Sequence, residues 1–398
     1  MSMFSAVEMA PRDPILGLNE QFAADSNSKK VNLGVGVYYD DNGKLPLLAC
    51  VQKAEQAMME KPSARGYLPI DGIAAYDSAV QTLVFGAHSP SVQAKRVATV
   101  QCLGGTGGLK VGADFLKRLS PQAKVLISDP SWENHKALFT QAGFDVEAYP
   151  YYDAQALGVD FPKMIAFLAS AKPGSIVVLH ACCHNPTGYD ITPSQWKQVV
   201  DTVKNQGLTA FLDMAYQGFG QGIAEDGAVI DLFVQAGLSF FVATSFSKSF
   251  SLYGERVGAL SVHCETADEA AKVLSQLKIA IRTNYSNPPI HGGSVVAAVL
   301  NNPEWRKLWE GELAEMRVRI KEMRQKLVEG LKAAGVQRDM GFITHQIGMF
   351  SYSGLSKDQM IRLRNEFGVY GTDTGRMCVA ALNSKNIDHV CASIAKVL

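Results

Sequence analysis

From Lys95 to Cys264 the chain alternates short apolar runs with longer segments of helical period. The apolar runs predict strands at Val97–Leu103, Lys124–Ser128, Val146–Tyr151, Ser175–Ala181, Thr209–Asp213, Phe240–Ser245 and Ala259–Val262. Several are continuously hydrophobic rather than alternating, the pattern of strands covered on both faces. Between them Gly107–Leu119, Glu133–Ala142, Pro193–Asn205 and Ile230–Ala236 read as helices. Thr192 and Pro193 form an N-cap and first-turn pair, and Gly207 stops that helix. This alternation implies an α/β fold with a mostly parallel sheet and helices on both faces. Ligands of such sheets bind beyond the carboxyl ends of the strands.

The C-terminal part reads differently. Pro303–Gly335 is a long, charge-rich helical run suited to bridging two domains. Weaker strand signals follow at Met349–Ser353, Val369–Thr372 and Met377–Ala380, with helices near Lys357–Glu366 and Asn386–Val397. These describe a smaller α+β unit, which the segment from Pro14 to about Leu45 is expected to complete. No internal repeat or low-complexity segment interrupts the pattern.

Composition narrows the function. The 398 residues hold 38 Lys+Arg against 38 Asp+Glu, so the chain lacks the basic surplus of a nucleic-acid binder. With 47% hydrophobic and 19% charged residues it is neither disordered nor membrane-spanning, and no run approaches 18 apolar residues. The N-terminus has no basic region followed by an apolar stretch, so a secretory signal is not expected. Seven scattered cysteines read as reduced thiols of a cytoplasmic protein.

Four motifs sit at predicted strand ends. Leu103-Gly-Gly-Thr-Gly-Gly-Leu109 follows a strand and opens a helix, where backbone N–H groups and the Thr106 hydroxyl can hold an anion. Its spacing fits neither a dinucleotide nor a nucleoside triphosphate loop. His180-Ala-Cys-Cys-His-Asn-Pro-Thr-Gly188 invites a zinc reading, but adjacent cysteines lack the spacing of a structural zinc site, and no metal is expected. Its Asn185 amide projects at a strand end. Phe211-Leu-Asp-Met-Ala-Tyr216 buries the Asp213 carboxylate, which demands a cation or protonated nitrogen as partner. In the run Thr244 to Gly258, Lys248 stands among serines and aromatic residues directly after a strand. A desolvated lysine near other cations becomes a carbonyl nucleophile. One ligand with a phosphate, an aldehyde and a basic ring nitrogen answers all of these, and pyridoxal 5'-phosphate has the three.

The text LGVGVYYD, YLPIDG, GGTGGLKVGADFL, SWENH, HACCHNPTG, FLDMAYQG, TSFSKSFSLYGERVG, RTNYSNPP and GRMCVAAL resembles the aspartate/aromatic aminotransferase family over nearly the whole chain, from Arg12 to Leu398. The resemblance implies pyridoxal-phosphate fold type I, with a seven-stranded, mostly parallel sheet in a large domain (46–312). A small domain (13–45 with 313–398) and an N-terminal arm at a dimer interface (1–12) complete it. It implies that Lys248 forms a Schiff base with the cofactor and then shuttles the proton, in a ping-pong reaction through pyridoxamine phosphate. Asp213 would hold the ring nitrogen protonated, Tyr216 and Asn185 would bond the ring oxygen, and Trp132 would stack on the ring. His135 and His180 are candidate neighbours of Asp213. The phosphate would be held by Gly105, Thr106, Ser245, Ser247 and Arg256, with Tyr67 reaching over from the second subunit of a homodimer with shared sites. Family members often carry serine at the position of Gly104.

For substrates, the resemblance implies that Arg376 grips the α-carboxylate as a bidentate fork, assisted by Asn185 and the Gly36 backbone, while Arg282 crosses the interface to a distal carboxylate. Tyr39, Leu45 and Gly66 depart towards the aromatic type, whereas Val37, Thr106 and Asn287 resemble the aspartate type. The balance points to transamination of tyrosine, phenylalanine and tryptophan, and of aspartate, with 2-oxoglutarate; a strict aspartate aminotransferase is the alternative. A regulator on the same fold would need an added DNA-binding module, and a lyase or decarboxylase would not need the distal arginine.

Overall fold

In a computed structural model, residues 2–13 and 15–398 are described; Met1 and Pro14, where the predicted arm and the Pro14–Leu45 segment begin, lie outside them. Seven strands form the main sheet: β1 (Val97–Leu103), β2 (Lys124–Asp129), β3 (Asp145–Pro150), β4 (Ile176–His180), β5 (Thr209–Met214), β6 (Phe240–Ser245) and β7 (Val257–His263). Their order is β1-β7-β6-β5-β4-β2-β3. Six strands run one way and β7 alone runs against both of its neighbours, with Val257 opposite Leu103 and Gly258 opposite Ser245. The carboxyl ends of β1, β2, β4, β5 and β6 and the start of β7 therefore share one edge. That edge is where the four motifs stand.

The strands form because they are apolar on both faces. Ile176, Val177, Val178 and Leu179 of β4 and Phe211 and Leu212 of β5 are buried, as is every residue of β6. Helices α1 (Gly104–Leu119) and α2 (Glu133–Gln141) follow β1 and β2, and α1 packs across β7, β6 and β1. Leu109, Ala113 and Phe115 of α1 join Phe139, Phe211, Phe241 and Leu260 in one core cluster. Helix α3 (Pro193–Gln206) begins with a capping box between Thr192 and Gln195 and ends on Gly207 in the left-handed region, as its termini predict. The helix predicted at Ile230–Ala236 is longer, α4 (Ile223–Gln235).

Two units divide the chain: Leu45–Lys321 with His345–Gly348, and residues up to Lys44 with Glu322–Thr344 and Met349–Leu398. The division after Lys321 falls inside the helix α5 (Pro303–Ala333), which runs unbroken. In the smaller unit Val31–Asn32 pairs in parallel with Val369–Tyr370, and Phe350–Tyr352 pairs antiparallel with Arg376–Cys378. All seven cysteines are buried thiols. No described helix is long and apolar enough to cross a membrane.

Candidate active site

Lys248 sits in the loop after β6. The aromatic residues around it anchor that loop: Phe246 and Phe250 are buried and meet edge to face at 5.5 Å, and Phe250 stacks on Trp309 at 4.7 Å. The Trp309 indole N–H donates to the Ser249 carbonyl at 2.7 Å, closing the clamp. The Lys248 Nζ lies 4.9 Å from the centre of the Tyr216 ring, so the end of β6 and the end of β5 bring these two together.

Asp213 is buried on β5 and its Oδ2 lies 2.9 Å from His135 Nε2. With Nε2–H donating to the carboxylate, His135 Nδ1 accepts from the Ser131 hydroxyl at 2.8 Å, which sets the tautomer. Burial would raise the Asp213 pKa. The His135 hydrogen bond, with the Lys248 charge nearby, outweighs it and holds the carboxyl below its usual range. Trp132 caps α2 and meets His135 edge-on at 5.3 Å. His180 lies against His135 at 5.0 Å between ring centres, and burial, then the His135 charge, push its pKa down to about 3. It is neutral, and its buried Nε2 has no partner.

The glycine run is not the turn before a helix that starts at Gly107, as predicted. It forms the first turn of α1, and Leu103 ahead of it makes no side-chain cap, so the first backbone donors face outward. Gly104 has φ +69°, and a Cβ there would lie 2.5 Å from the Arg256 guanidinium. With no side chain at Gly104, the Arg256 guanidinium lies close against the start of α1. Arg256 Nη1 donates to Ser247 Oγ at 3.2 Å and to the Tyr253 carbonyl at 3.1 Å. Ser247 N donates to Ser245 Oγ at 3.3 Å, and Gly105 lies against the Ser245 side chain. Thr106 follows in the same turn. Helix N-terminus, guanidinium and two hydroxyls converge on one place suited to a dianion. Asn185 is buried in the loop after β4.

A sequence profile of the family described as Aminotransferase class I and II matches residues 28–394. The chain belongs to this family. An aspartate aminotransferase of Pseudomonas aeruginosa is 62% identical over 398 residues, the whole of both chains. An aromatic-amino-acid aminotransferase of Escherichia coli is 50% identical over 397 residues, again with full coverage. The crystal structure of an aromatic-amino-acid aminotransferase from Burkholderia pseudomallei, covalently bound to pyridoxal phosphate, matches over all of both chains with a TM-score of 0.98 and 64% identity.

The aminotransferase's own residues fit pyridoxal phosphate on three observations: an ionised, buried Asp213 for a protonated ring nitrogen, an uncapped helix start beside Arg256 for the phosphate, and Lys248 between them in sequence and near Tyr216 in space. Two predicted contributors stand apart. Tyr67 is 97% exposed, and Arg282, exposed on the helix Ala267–Asn284, donates to Ser286 Oγ. In the smaller unit Arg376 is buried, its guanidinium 4.5 Å from the Phe350 ring centre and its Nη2 donating to the Gly34 carbonyl at 2.7 Å. Gly36 lies against the same ring, and a Cβ there would be 2.6 Å from it.

Sequence reasoning missed Asp190 and Asp226, whose carboxylates hold the loops after β4 and β5. Asp190 directly follows the Asn-Pro-Thr-Gly-Tyr turn, but an acidic residue after a turn is too common a signal to single out.

Proposed function

We propose that this aminotransferase moves amino groups from tyrosine, phenylalanine and tryptophan, and from aspartate, to 2-oxoglutarate. The observation that carries the reading is Lys248 set beside Tyr216 at the same sheet edge as the ionised Asp213. Relatives named for aspartate and for aromatic amino acids both match the full chain, which supports a pocket that accepts either.

When bound, pyridoxal phosphate supplies an electron sink that makes the α-proton of an amino acid removable. Asp213, braced by His135, keeps a proton on the nitrogen set against it. The Lys248 amine takes the α-proton as a base and returns it as an acid, and its tether gives the positional advantage of an intramolecular group. Tyr216 and Asn185 would hold the cofactor's ring oxygen as hydrogen-bond donors, and Trp132 would lie against the ring. Gly105, Thr106, Ser245, Ser247 and Arg256 fix the phosphate. Arg376 orients the α-carboxylate in a planar fork that a lysine cannot match.

The homodimer belongs to this reading. An exposed Tyr67 and an exposed Arg282 are free to serve a partner's site, Tyr67 at the phosphate and Arg282 at a distal carboxylate. The N-terminal arm, with Met3, Phe4, Val7 and Met9 exposed, is suited to lie on that partner. The buried thiols support a cytoplasmic setting.

Steady-state kcat/KM for tyrosine, phenylalanine and aspartate with 2-oxoglutarate tests the proposal. Measurable turnover with all three is expected. Turnover with aspartate alone would establish the strict aspartate enzyme, which Val37, Thr106 and Asn287 favour. In Arg282→Ala the loss for aspartate should exceed that for phenylalanine about tenfold or more, since only the dicarboxylate loses a charged partner.

A further inference from the structure

We propose that Asp190 and Asp226 are positioning residues that set Asn185 and Tyr216 for their bonds to the cofactor's ring oxygen, an inference that rests on the role given to those two residues above. Both stand in loops that leave neighbouring strands of the sheet. In each loop several backbone donors are taken up by one carboxylate.

Asp190 grips the turn just before Asn185. Its Oδ2 accepts from Cys183 N at 2.6 Å and its Oδ1 from His184 N at 2.8 Å. Cys183 is held there at φ +52°, a left-handed conformation that a non-glycine residue keeps only when its surroundings enforce it. Asp226, in the first turn of α4, grips the loop just after Tyr216. Its Oδ2 accepts from Gly218 N at 2.8 Å and Gly220 N at 2.9 Å, and its Oδ1 from Gln221 N at 2.8 Å. A Cβ on Gly220 would lie 2.6 Å from that carboxylate, so glycine is what lets the acid come in.

The two loops also touch. Cys183 Sγ donates to the Tyr216 carbonyl at 3.8 Å. Cys182, Cys183 and Asp226 bring a thiol, a thiol and a carboxylate oxygen within 4.8 Å of one another. This cluster is a brace rather than a metal site, because both Asp226 oxygens are already committed to N–H donors. Only an ionised carboxylate, acceptor on both oxygens, can hold two or three consecutive donors; an asparagine must turn one N–H2 towards them. Burial raises the pKa of both acids, so the fold keeps them here against a desolvation cost.

The test uses Asp190→Asn and Asp226→Asn in double-mutant cycles with Asn185→Ala and Tyr216→Phe. The first readout is the pH titration of the visible band that pyridoxal phosphate gives when bound to the full-length protein. The second is amide hydrogen exchange of the apo-protein. Each Asn variant should move the midpoint of the band by about half a pH unit or more in the otherwise native chain, and add no further shift in the background of its own partner. Asp190→Asn should speed exchange at Cys183 and His184 and leave Gly218–Gln221 protected; Asp226→Asn should do the reverse. Unshifted midpoints, or shifts that add independently to those of the partners, overturn the proposal and leave the acids purely structural. A wild-type protein that develops no band overturns the cofactor reading itself, and with it the role assigned here. Should an Asn variant fail to fold, Asp190→Glu or Asp226→Glu, which keeps the charge but moves it by one methylene, carries the same cycle.

Discussion

His180 shows what one buried side chain contributes beyond the chemistry. It packs between the His135 and His184 rings, at 5.0 and 4.3 Å, and burial keeps it neutral with a pKa of about 3. The unfolded chain takes up that proton near the ordinary histidine value of about 6.5. The native form is thus favoured above pH 6.5 and loses that advantage as pH falls towards 3, by an amount on the order of a few kcal/mol. His180→Asn should therefore flatten the drop in urea midpoint between pH 7 and pH 4. An unchanged drop would mean that the native His180 is protonated after all. At pH 7 the substitution removes no hydrogen bond at Nε2, so the remaining cost is packing. By contrast His135, bonded at both nitrogens, answers for the state of Asp213.

At the scale of elements, the strands were legible because covered strands must be apolar throughout. The boundaries of β1 agree to the residue with the apolar run, and those of β6 do as well. The reversal of β7 was not legible, since a buried strand carries the same residues in either direction. The start of α1 was misplaced by three residues because glycine is a poor helix former, and its reason to be there is the approach of Arg256 rather than propensity. The helix His291–Asn301 is buried on most of its surface and so shows no polar stripe to mark it. Asp190 and Asp226 escaped notice because their partners are backbone N–H groups, which leave no trace in the side-chain pattern. Two substitutions separate scaffold from site. Thr192→Ala removes the cap of α3, a helix that carries none of the candidate site residues, and should cost about 1 kcal/mol in thermal or urea unfolding. Phe250→Ala empties the clamp on the Lys248 loop and should cost about 3–5 kcal/mol, with weaker retention of pyridoxal phosphate on dialysis. Equal effects of the two on activity would contradict the clamp.

For the whole molecule, a net charge of zero conceals a local excess of cations: Lys248 and Arg256 stand at the sheet edge that holds the buried Asp213 carboxylate. The residues that sheet topology gathers were readable from strand ends, because chain order and edge position go together in a parallel sheet. Tyr67 and Arg282 were reached only through family resemblance, since nothing in periodicity says that a side chain serves another subunit. Mixing the subunits tests that assignment. Lys248→Ala and Arg282→Ala homodimers should each turn over aspartate poorly. A mixture allowed to exchange subunits one to one should recover about one quarter of native activity, because half the dimers then hold one intact site of two. No recovery would show that Lys248 and Arg282 serve the same chain.

The central claim is that Lys248, carried past the end of β6, bonds covalently to pyridoxal phosphate. Borohydride reduction of the holoprotein followed by peptide mass spectrometry measures this directly. The account predicts one pyridoxyl-modified peptide containing Lys248, absent from Lys248→Ala; modification at another lysine, or none in a protein saturated with cofactor, would contradict it.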